Sequence, residues 1–305
     1  MRHFFEALFF SPQWYHYLVM ILLFPLSIVY GMLMGLRRIL TAKQHFSIPI
    51  ISVGNLQVGG SGKTPFVIDL ASRYEGVTII SRGYGRQTHG RIEVSSHGTI
   101  LTSVQASGDE AMLMASSLPN ASVIVCEDRL MAIEVAMREG AKIIILDDGF
   151  NRVEIEKFEI LLEPACMPNT LAFPAGGLRE FYMTRHYADV IAKEEQDFKR
   201  EVEVLNPTER MLLVTAISNP KRLEAFLPKG IVAKVYYEDH AYFEISKLEV
   251  LLEIHKATSI LCTSKDRVKL DAFKLPISEM KLELQINEEI FTQVDTYIDS
   301  KRNSE

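Results

Sequence analysis

VGGSGKTP, residues 58–65, follows the apolar run PIISVGNL and precedes the amphipathic FVIDLASRY. An apolar strand that runs into a glycine-rich turn and then a helix is a device for holding a phosphate chain. Gly59, Gly60 and Gly62 let the backbone turn its N–H groups inward and approach an anion closely. Lys63 supplies a point charge for the β- and γ-phosphates of a nucleotide, and the Thr64 hydroxyl is placed to ligate Mg²⁺. The helix that begins here aims its N-terminal dipole at the same phosphates. Pro65 fits its first turn, where no intrahelical donor is lost. Nucleotide contacts are therefore expected from Gly59, Gly60, Ser61, Gly62, Lys63 and Thr64. The strict pattern G-x-x-x-x-G-K-[ST] asks for glycine at position 57, where this chain has Gln57. A variant loop of some ATPase switches carries lysine at the position of Val58, and its absence counts against that class.

A second element lies further along the chain. KIIILDDG, residues 142–149, places Asp147 and Asp148 at the end of an apolar strand, where a P-loop fold needs a carboxylate beside Mg²⁺. Adjacent strand residues point to opposite faces, so the two are equivalent ligands only if the strand has already ended. One holds the metal, directly or through water, and its neighbour orients water or a loop. With Thr64, these residues predict an ATP–Mg²⁺ site.

From Pro49 onward the chain alternates short Ile- and Val-rich runs (PIISVGNL, VTIIS, ASVIVCE, KIIILDD, FEILLEP) with amphipathic ones (PFVIDLASRY, DEAMLMASSL, RLMAIEVAMREG). Strands alternating with helices imply parallel pairing and right-handed crossovers. AKEEQDFKREVEVLNPTER is charged and turn-rich, and reads as a linker or an exposed helix and turn. MLLVTAIS, IVAKVYY, SILCTS and MKLELQI then supply further strands, with helices around KRLEAFL and SKLEVLLEIH. The expected fold is α/β: a P-loop NTPase-type parallel-sheet domain, an N-terminal membrane helix and a second, smaller α/β domain. The expected boundaries are 1–44, 45–187 and 188–305, with the C-terminal helix packing back on the first α/β domain.

Residues 17–36, YLVMILLFPLSIVYGMLMGL, contain no Asp, Glu, Lys, Arg or His. As a helix the run is about 30 Å long, the thickness of a bilayer's hydrocarbon core. Trp14, Tyr15 and Tyr17 flank one end, and Arg37, Arg38 and Lys43 the other, which by the positive-inside rule places the rest of the chain in the cytoplasm. No small-residue cleavage site follows, which argues against a removable signal peptide. Membrane attachment is expected, either by spanning or by lying in the interface with a kink at Pro25.

Hydrophobic residues make up 48% of the 305 positions and charged residues 24%, as in a folded protein with a core. A net charge of -6 offers no general attraction to nucleic acid. Cys126, Cys166 and Cys262 have no metal-ligand spacing and read as reduced thiols.

Beyond the phosphate loop, SRGYGR (81–86), SGDEA (107–111), CEDR (126–129), LDDGF (146–150), FPAGGLRE (173–180), EDHAYF (238–243) and TSKDRVKL (263–270) occur in a fixed order. With VGNLQVGGSGKTP they resemble the tetraacyldisaccharide 4'-kinases, the lipid A 4'-kinases of Gram-negative bacteria, from the apolar N-terminus to about Leu270. The resemblance implies transfer of the ATP γ-phosphoryl group to the 4'-hydroxyl of an acylated glucosamine disaccharide 1-phosphate. It implies a bilobed α/β enzyme at the inner membrane, facing the cytoplasm, whose acceptor stays among membrane lipids. It further implies that Asp109 and His240 together deprotonate the sugar hydroxyl, with the immediate base left open. Lys63 would act in catalysis as well as binding. Arg82 and Tyr84 would lie near nucleotide or acceptor, and Arg129, Arg179 and Glu180 near the sugar or its 1-phosphate. Two departures stand out: Asn151 and Arg152 replace the family's usual Gln and His after DDGF, and Gly177 replaces a common Pro, which predicts a looser loop.

Overall fold

The computed structural model describes residues 2–59 and 62–303; Gly60 and Ser61 of the phosphate loop lie outside the described residues. In chain order the elements begin with α1 (Arg2–Phe10), α2 (Trp14–Leu40), β1 (Ile50–Gly54), α3 (Lys63–Ser72), β2 (Val77–Ser81), β3 (Ile92–Ser96) and β4 (Thr99–Ile100). They continue with α4 (Val104–Ser107), α5 (Asp109–Ser117), β5 (Ser122–Val125), α6 (Arg129–Arg138), β6 (Ile143–Asp147), β7 (Phe158–Glu163), β8 (Val190–Lys193) and β9 (Phe198–Leu205). The last are β10 (Met211–Thr215), β11 (Ile231–Tyr236), α7 (Ile245–His255), β12 (Ser259–Thr263), α8 (Ser264–Leu270), β13 (Ile277–Ile286) and α9 (Glu288–Arg302). Two compact units result: Met1–Lys63 with Ile143–Lys199 and Ile286–Glu305, and Thr64–Lys142 with Arg200–Gln285.

In the first unit β1 pairs in parallel with β6 on one side and β7 on the other, and β8 continues in parallel from β7. The register sets Val53 beside Asp147, so the strand feeding the phosphate loop and the strand ending in the carboxylates finish at the same level. All five residues of β1 and of β6 are buried, which is why both read as unbroken apolar runs. α9 belongs to this unit: Tyr297 stacks on Phe158 (centroids 5.2 Å) and Lys301 pairs with Glu156 at 3.0 Å.

α2 is the one described helix long and apolar enough to cross a membrane, and only 17% of its most apolar window is buried. The buried positions, His16, Met20, Ser27 and Gly31, fall on one stripe at helical spacing. Trp14, Leu18, Ile21, Leu22, Met32 and Ile39 are among the large apolar side chains left exposed. Pro25 lies inside this continuous helix.

In the second unit β2 and β5 are parallel, and β3 and β4 add an antiparallel hairpin against β5. A separate sheet has the order β11-β10-β12-β13-β9, parallel from β11 through β13. Alternation along β10 builds its two faces. Leu212 and Val214 join Phe243, Leu248, Ile260 and Leu270 in one core, while Met211 and Leu213 join Leu261 and Met280 in another. The charged stretch around residue 200 is a strand, not a linker or helix. Phe198, Arg200, Val202 and Val204 turn inward in β9 while Lys199, Glu201 and Glu203 face out. The period of two prevails over the charged composition. All three cysteines are free.

Candidate active site

The phosphate loop is shaped by its flanks. β1 ends at Gly54, where a Cβ would lie 2.5 Å from the Phe150 Cβ, so only glycine lets the DDGF turn close over the strand. Asn55 is buried and spans the loop: its Nδ2 donates to the Gln57 carbonyl at 2.6 Å, and its Oδ1 accepts from Lys63 Nζ at 3.0 Å. Gly62 has φ 83° and delivers the chain into α3, whose first two residues are Lys63 and Thr64. Gly59 is likewise left-handed, at φ 99°.

β6 ends at Asp147, which is buried, and Asp148 turns out of the strand with φ 56°. The strand has therefore ended between the two carboxylates, and strand alternation no longer separates them. Lys63 Nζ lies 3.5 Å from Asp148, and Arg179 Nη1 donates to both Asp148 oxygens at 3.0 and 2.8 Å. Burial pushes the Asp148 carboxyl up, but the charges of Lys63 and Arg179 outweigh it and hold it below its usual range.

Residues 169–181 connect this loop to the apolar helix. On one side Val58 N donates to the Gly177 carbonyl and Arg179 N to the Leu56 carbonyl, both at 2.9 Å. On the other, Ala175 N donates to Ser27 Oγ at 2.8 Å, and the Phe181 ring covers Gly31. Asn169 Nδ2 donates to the carbonyls of Leu8 and Ala175. Glu180 is buried and accepts from Arg38 Nε and Nη2 at 2.9 and 2.8 Å.

The second unit holds the other group of titratable side chains. Asp109 opens α5 after Gly108, so the helix N-terminus faces its carboxylate. His240 Nδ1 lies 2.9 and 3.0 Å from the two Asp109 oxygens. Against an ionised carboxylate, Nδ1 is the donor in that contact, and Nε2 is turned away from Asp109. Lys265 and Lys269 stand 3.8 and 3.6 Å from Asp109 Oδ2. Burial pushes the Asp109 carboxyl up; the His240 hydrogen bond, with Lys265 and Lys269, pulls it down further, and the net shift is downward. An ionised carboxylate held against an imidazole can accept or relay a hydroxyl proton.

The remaining residues singled out in the sequence fall into distinct settings. Tyr84 is exposed, with its ring 5.0 Å from that of His240, and Arg82 is exposed one strand-end earlier. Arg86 carries a buried side chain ion-paired to Glu127. Arg129 is buried at the start of α6 and donates to the Cys126 carbonyl. Arg152 lies 3.7 Å from Glu154. Gly177 sits in a pinned loop, and a Cβ there would come within 3.1 Å of Phe9, so that ring occupies the side-chain space. The sequence suggests no site role for Asn55, Lys265 or Lys269, and shows Arg38 only as a flanking charge of the apolar helix. Asn55 lies within the quoted VGNLQVGGSGKTP, and the lysines lie at i, i+4 within TSKDRVKL.

The family model for tetraacyldisaccharide-1-P 4'-kinase matches residues 19–206 and 192–299. The tetraacyldisaccharide 4'-kinase of Helicobacter acinonychis is 45% identical over 97% of this chain and 95% of its own. That of Aliarcobacter butzleri is 42% identical over 97% and 96%. Among solved structures, LpxK from Aquifex aeolicus in complex with ATP superposes with a TM-score of 0.77 at 27% identity, covering 92% of this chain and 99% of that one. With a phosphate loop, paired strand-end carboxylates and an Asp–His pair set in this α/β frame, the chain belongs to the tetraacyldisaccharide-1-phosphate 4'-kinase family.

Proposed function

We propose that this protein transfers the γ-phosphoryl group of ATP to the 4'-hydroxyl of tetraacyldisaccharide 1-phosphate, a step of lipid A biosynthesis. The observation that carries the reading is the Lys63–Asp148–Arg179 cluster at the mouth of a phosphate loop, in a chain that matches these kinases along nearly its whole length. Backbone amides from Gly59 to Thr64, with Gly60 and Ser61 among them, cradle the phosphates, and Lys63 exchanges Asp148 for the β- and γ-phosphates. The acceptor oxygen attacks phosphorus, the bond to the β–γ bridging oxygen breaks, and ADP leaves. The 4'-hydroxyl proton passes to the Asp109–His240 pair. His240 is the more exposed member, with 16% of its side chain accessible against 4% for Asp109, and meets the acceptor first.

The donor chemistry fits Mg²⁺: a hydroxyl at Thr64 and carboxylates at Asp147 and Asp148 would hold it. Among the described residues no group of three His, Cys, Asp or Glu could hold a metal unaided. That suits an ion taking one or two carboxylates together with phosphate and water oxygens. When bound, it neutralises charge on the β- and γ-oxygens. Arg82, Tyr84, Arg129 and Arg179 are assigned to the neighbourhood of sugar and phosphates, and the same assignment of Glu180 competes with its buried pairing to Arg38. α2 attaches the enzyme to the inner membrane, with the α/β units in the cytoplasm and the acylated acceptor in the lipid.

The test is label transfer from γ-labelled ATP by the detergent-solubilised protein, with and without acylated disaccharide 1-phosphate. Label at the 4'-position that disappears in Lys63→Ala supports the reading. Phosphate release indifferent to the lipid overturns it and makes the protein an ATPase.

A further inference from the structure

Behind the Asp109–His240 pair lies a buried ion pair that the proposed chemistry does not use. Asp266 and Lys269, one turn apart on α8, have side chains 0% and 1% exposed and lie 3.0 Å from each other. Each makes contacts that end at the dyad. Asp266 Oδ2 accepts from Thr215 Oγ1 at 2.7 Å and from Thr263 Oγ1 at 2.8 Å, and its Oδ1 accepts from Ala216 N at 3.1 Å. The Ala216 carbonyl in turn accepts from His240 N at 3.0 Å. Lys269 Nζ donates to the Ala241 carbonyl at 3.2 Å, lies 3.6 Å from Asp109 Oδ2, and sits over the Phe243 ring at 5.1 Å.

His240 is thus held from both sides along the chain, by Asp266 through Ala216 and by Lys269 through Ala241. It needs such restraint, because its backbone is left-handed at φ 62°, a conformation that a non-glycine residue keeps only where the surroundings fix it. The same ammonium that holds the His240 loop also faces the carboxylate that His240 must meet. We infer that the Lys269–Asp266 pair is the positioning device of the dyad, with Lys269 setting the Asp109 carboxylate and the His240 loop in register. The inference rests on the kinase reading, in which Asp109 and His240 take the acceptor's proton.

Lys269 is a positioning residue and not a catalytic one, since its side chain is 1% exposed and acts through Asp109 and the His240 loop. Lys265 differs: with 20% of its side chain exposed it is shared among Asp109, Glu110 and Asp239. A lysine with two buried carboxylate partners and a carbonyl has no freedom to serve a passing anion.

The test is a mutant cycle on the full-length protein in detergent, assayed by label transfer from ATP to acylated disaccharide 1-phosphate, with melting curves for each variant. Lys269→Met is expected to lower kcat about 10- to 100-fold, the scale of a misplaced reacting group, with KM for ATP within about twofold. Lys269→Arg is expected to recover most of the loss. Asp109→Asn alone is expected to lose about 100- to 10,000-fold. The double variant should turn over no more slowly than Asp109→Asn, because Lys269 acts through that carboxylate. If Lys269→Met does not fold, Lys269→Gln, which keeps a donor for the Ala241 carbonyl without the charge, takes its place in the same cycle. Wild-type kcat in the folded variant, or an equal further loss in the Asp109→Asn background, overturns the inference. Wild-type turnover in Asp109→Asn itself overturns the dyad reading instead.

Discussion

Glu180→Gln separates two accounts of one residue. By family resemblance Glu180 contacts the acceptor sugar, yet its side chain is 4% exposed and ion-paired to Arg38, itself 8% exposed. At 2.8 Å, and with an effective dielectric constant near 20, the gross attraction is about 6 kcal/mol. Part of that offsets the desolvation of both charges, and breaking such a pair from one side typically costs about 3–5 kcal/mol. Arg38 would keep its hydrogen bond to the Phe150 carbonyl at 3.2 Å and its place over the Phe150 ring at 4.5 Å. Glutamine retains one acceptor for it, so the expected loss is about 2–4 kcal/mol. At about 2–4 °C per kcal/mol, the melting temperature should fall by roughly 4–16 °C. The assay is a melt in detergent at fixed scan rate, beside KM for the lipid acceptor. Arg38→Met with Glu180→Leu should recover most of the loss, since no uncompensated charge remains. A melting temperature within about 1 °C of wild type, with a raised acceptor KM, refutes the structural account and returns Glu180 to the sugar.

Lys63→Ala should lower turnover about 100- to 1,000-fold, the loss seen when one transition-state donor is removed. At 100 times Kd, ATP with Mg²⁺ should stabilise the wild-type protein by about 2.7 kcal/mol, and that shift should vanish in the variant, a result read from the same melts. Asp109 has a folded pKa below its ordinary 3.8, so the stability it contributes is present above about pH 3.8 and is lost as pH falls through the lower folded value. Acid titration should therefore show wild type and Asp109→Asn converging in stability below that pH, whereas a gap unchanged down to about pH 2 would contradict the assignment. Gly31→Leu places a side chain where a Cβ already lies 2.4 Å from the Phe181 ring, and should cost about 1–3 kcal/mol by melting. The same change at Gly35, where a Cβ meets nothing within 4 Å, is the control expected to melt like wild type.

What the sequence displays openly is local. The strand before the glycines and the helix from Lys63 lie within one short stretch, so both follow from local spacing, as does the end of β6 at Asp147. β9 was obscured because its outward charges dominate composition while its inward alternation is carried by few apolar residues. Arg38 reads from sequence as a flanking charge of a membrane helix, like Arg37. Folding gives the two different work: Arg37 bonds the Asn151 carbonyl near the surface, and Arg38 is buried on Glu180. No local pattern reveals that, because the partner lies 142 residues away. Lys269 is hidden for the same reason, since Asp109 and the Ala241 carbonyl reach it only through the fold of the second unit.

Gln57 and Gly177, each a departure from an expected pattern, explain each other. A strict phosphate loop would place glycine at 57, but Gln57 here is in an antiparallel bridge to Leu178. A residue committed to that bridge has extended backbone and no need of glycine's freedom. The bridge also takes Val58 N, which donates to the Gly177 carbonyl and so is already committed within the fold. Gly177 in turn must lie close to α1, where Phe9 fills the space of a side chain. A bulkier residue at 177 would push on Phe9, and through the Val58 hydrogen bond it would push on the start of the phosphate loop. The loop that looked loosened by losing a proline is thus the edge against which the nucleotide loop is built. Its other end rests on Ser27 and Arg38 of the apolar helix, so the same short segment ties that helix to Asp148 and Lys63.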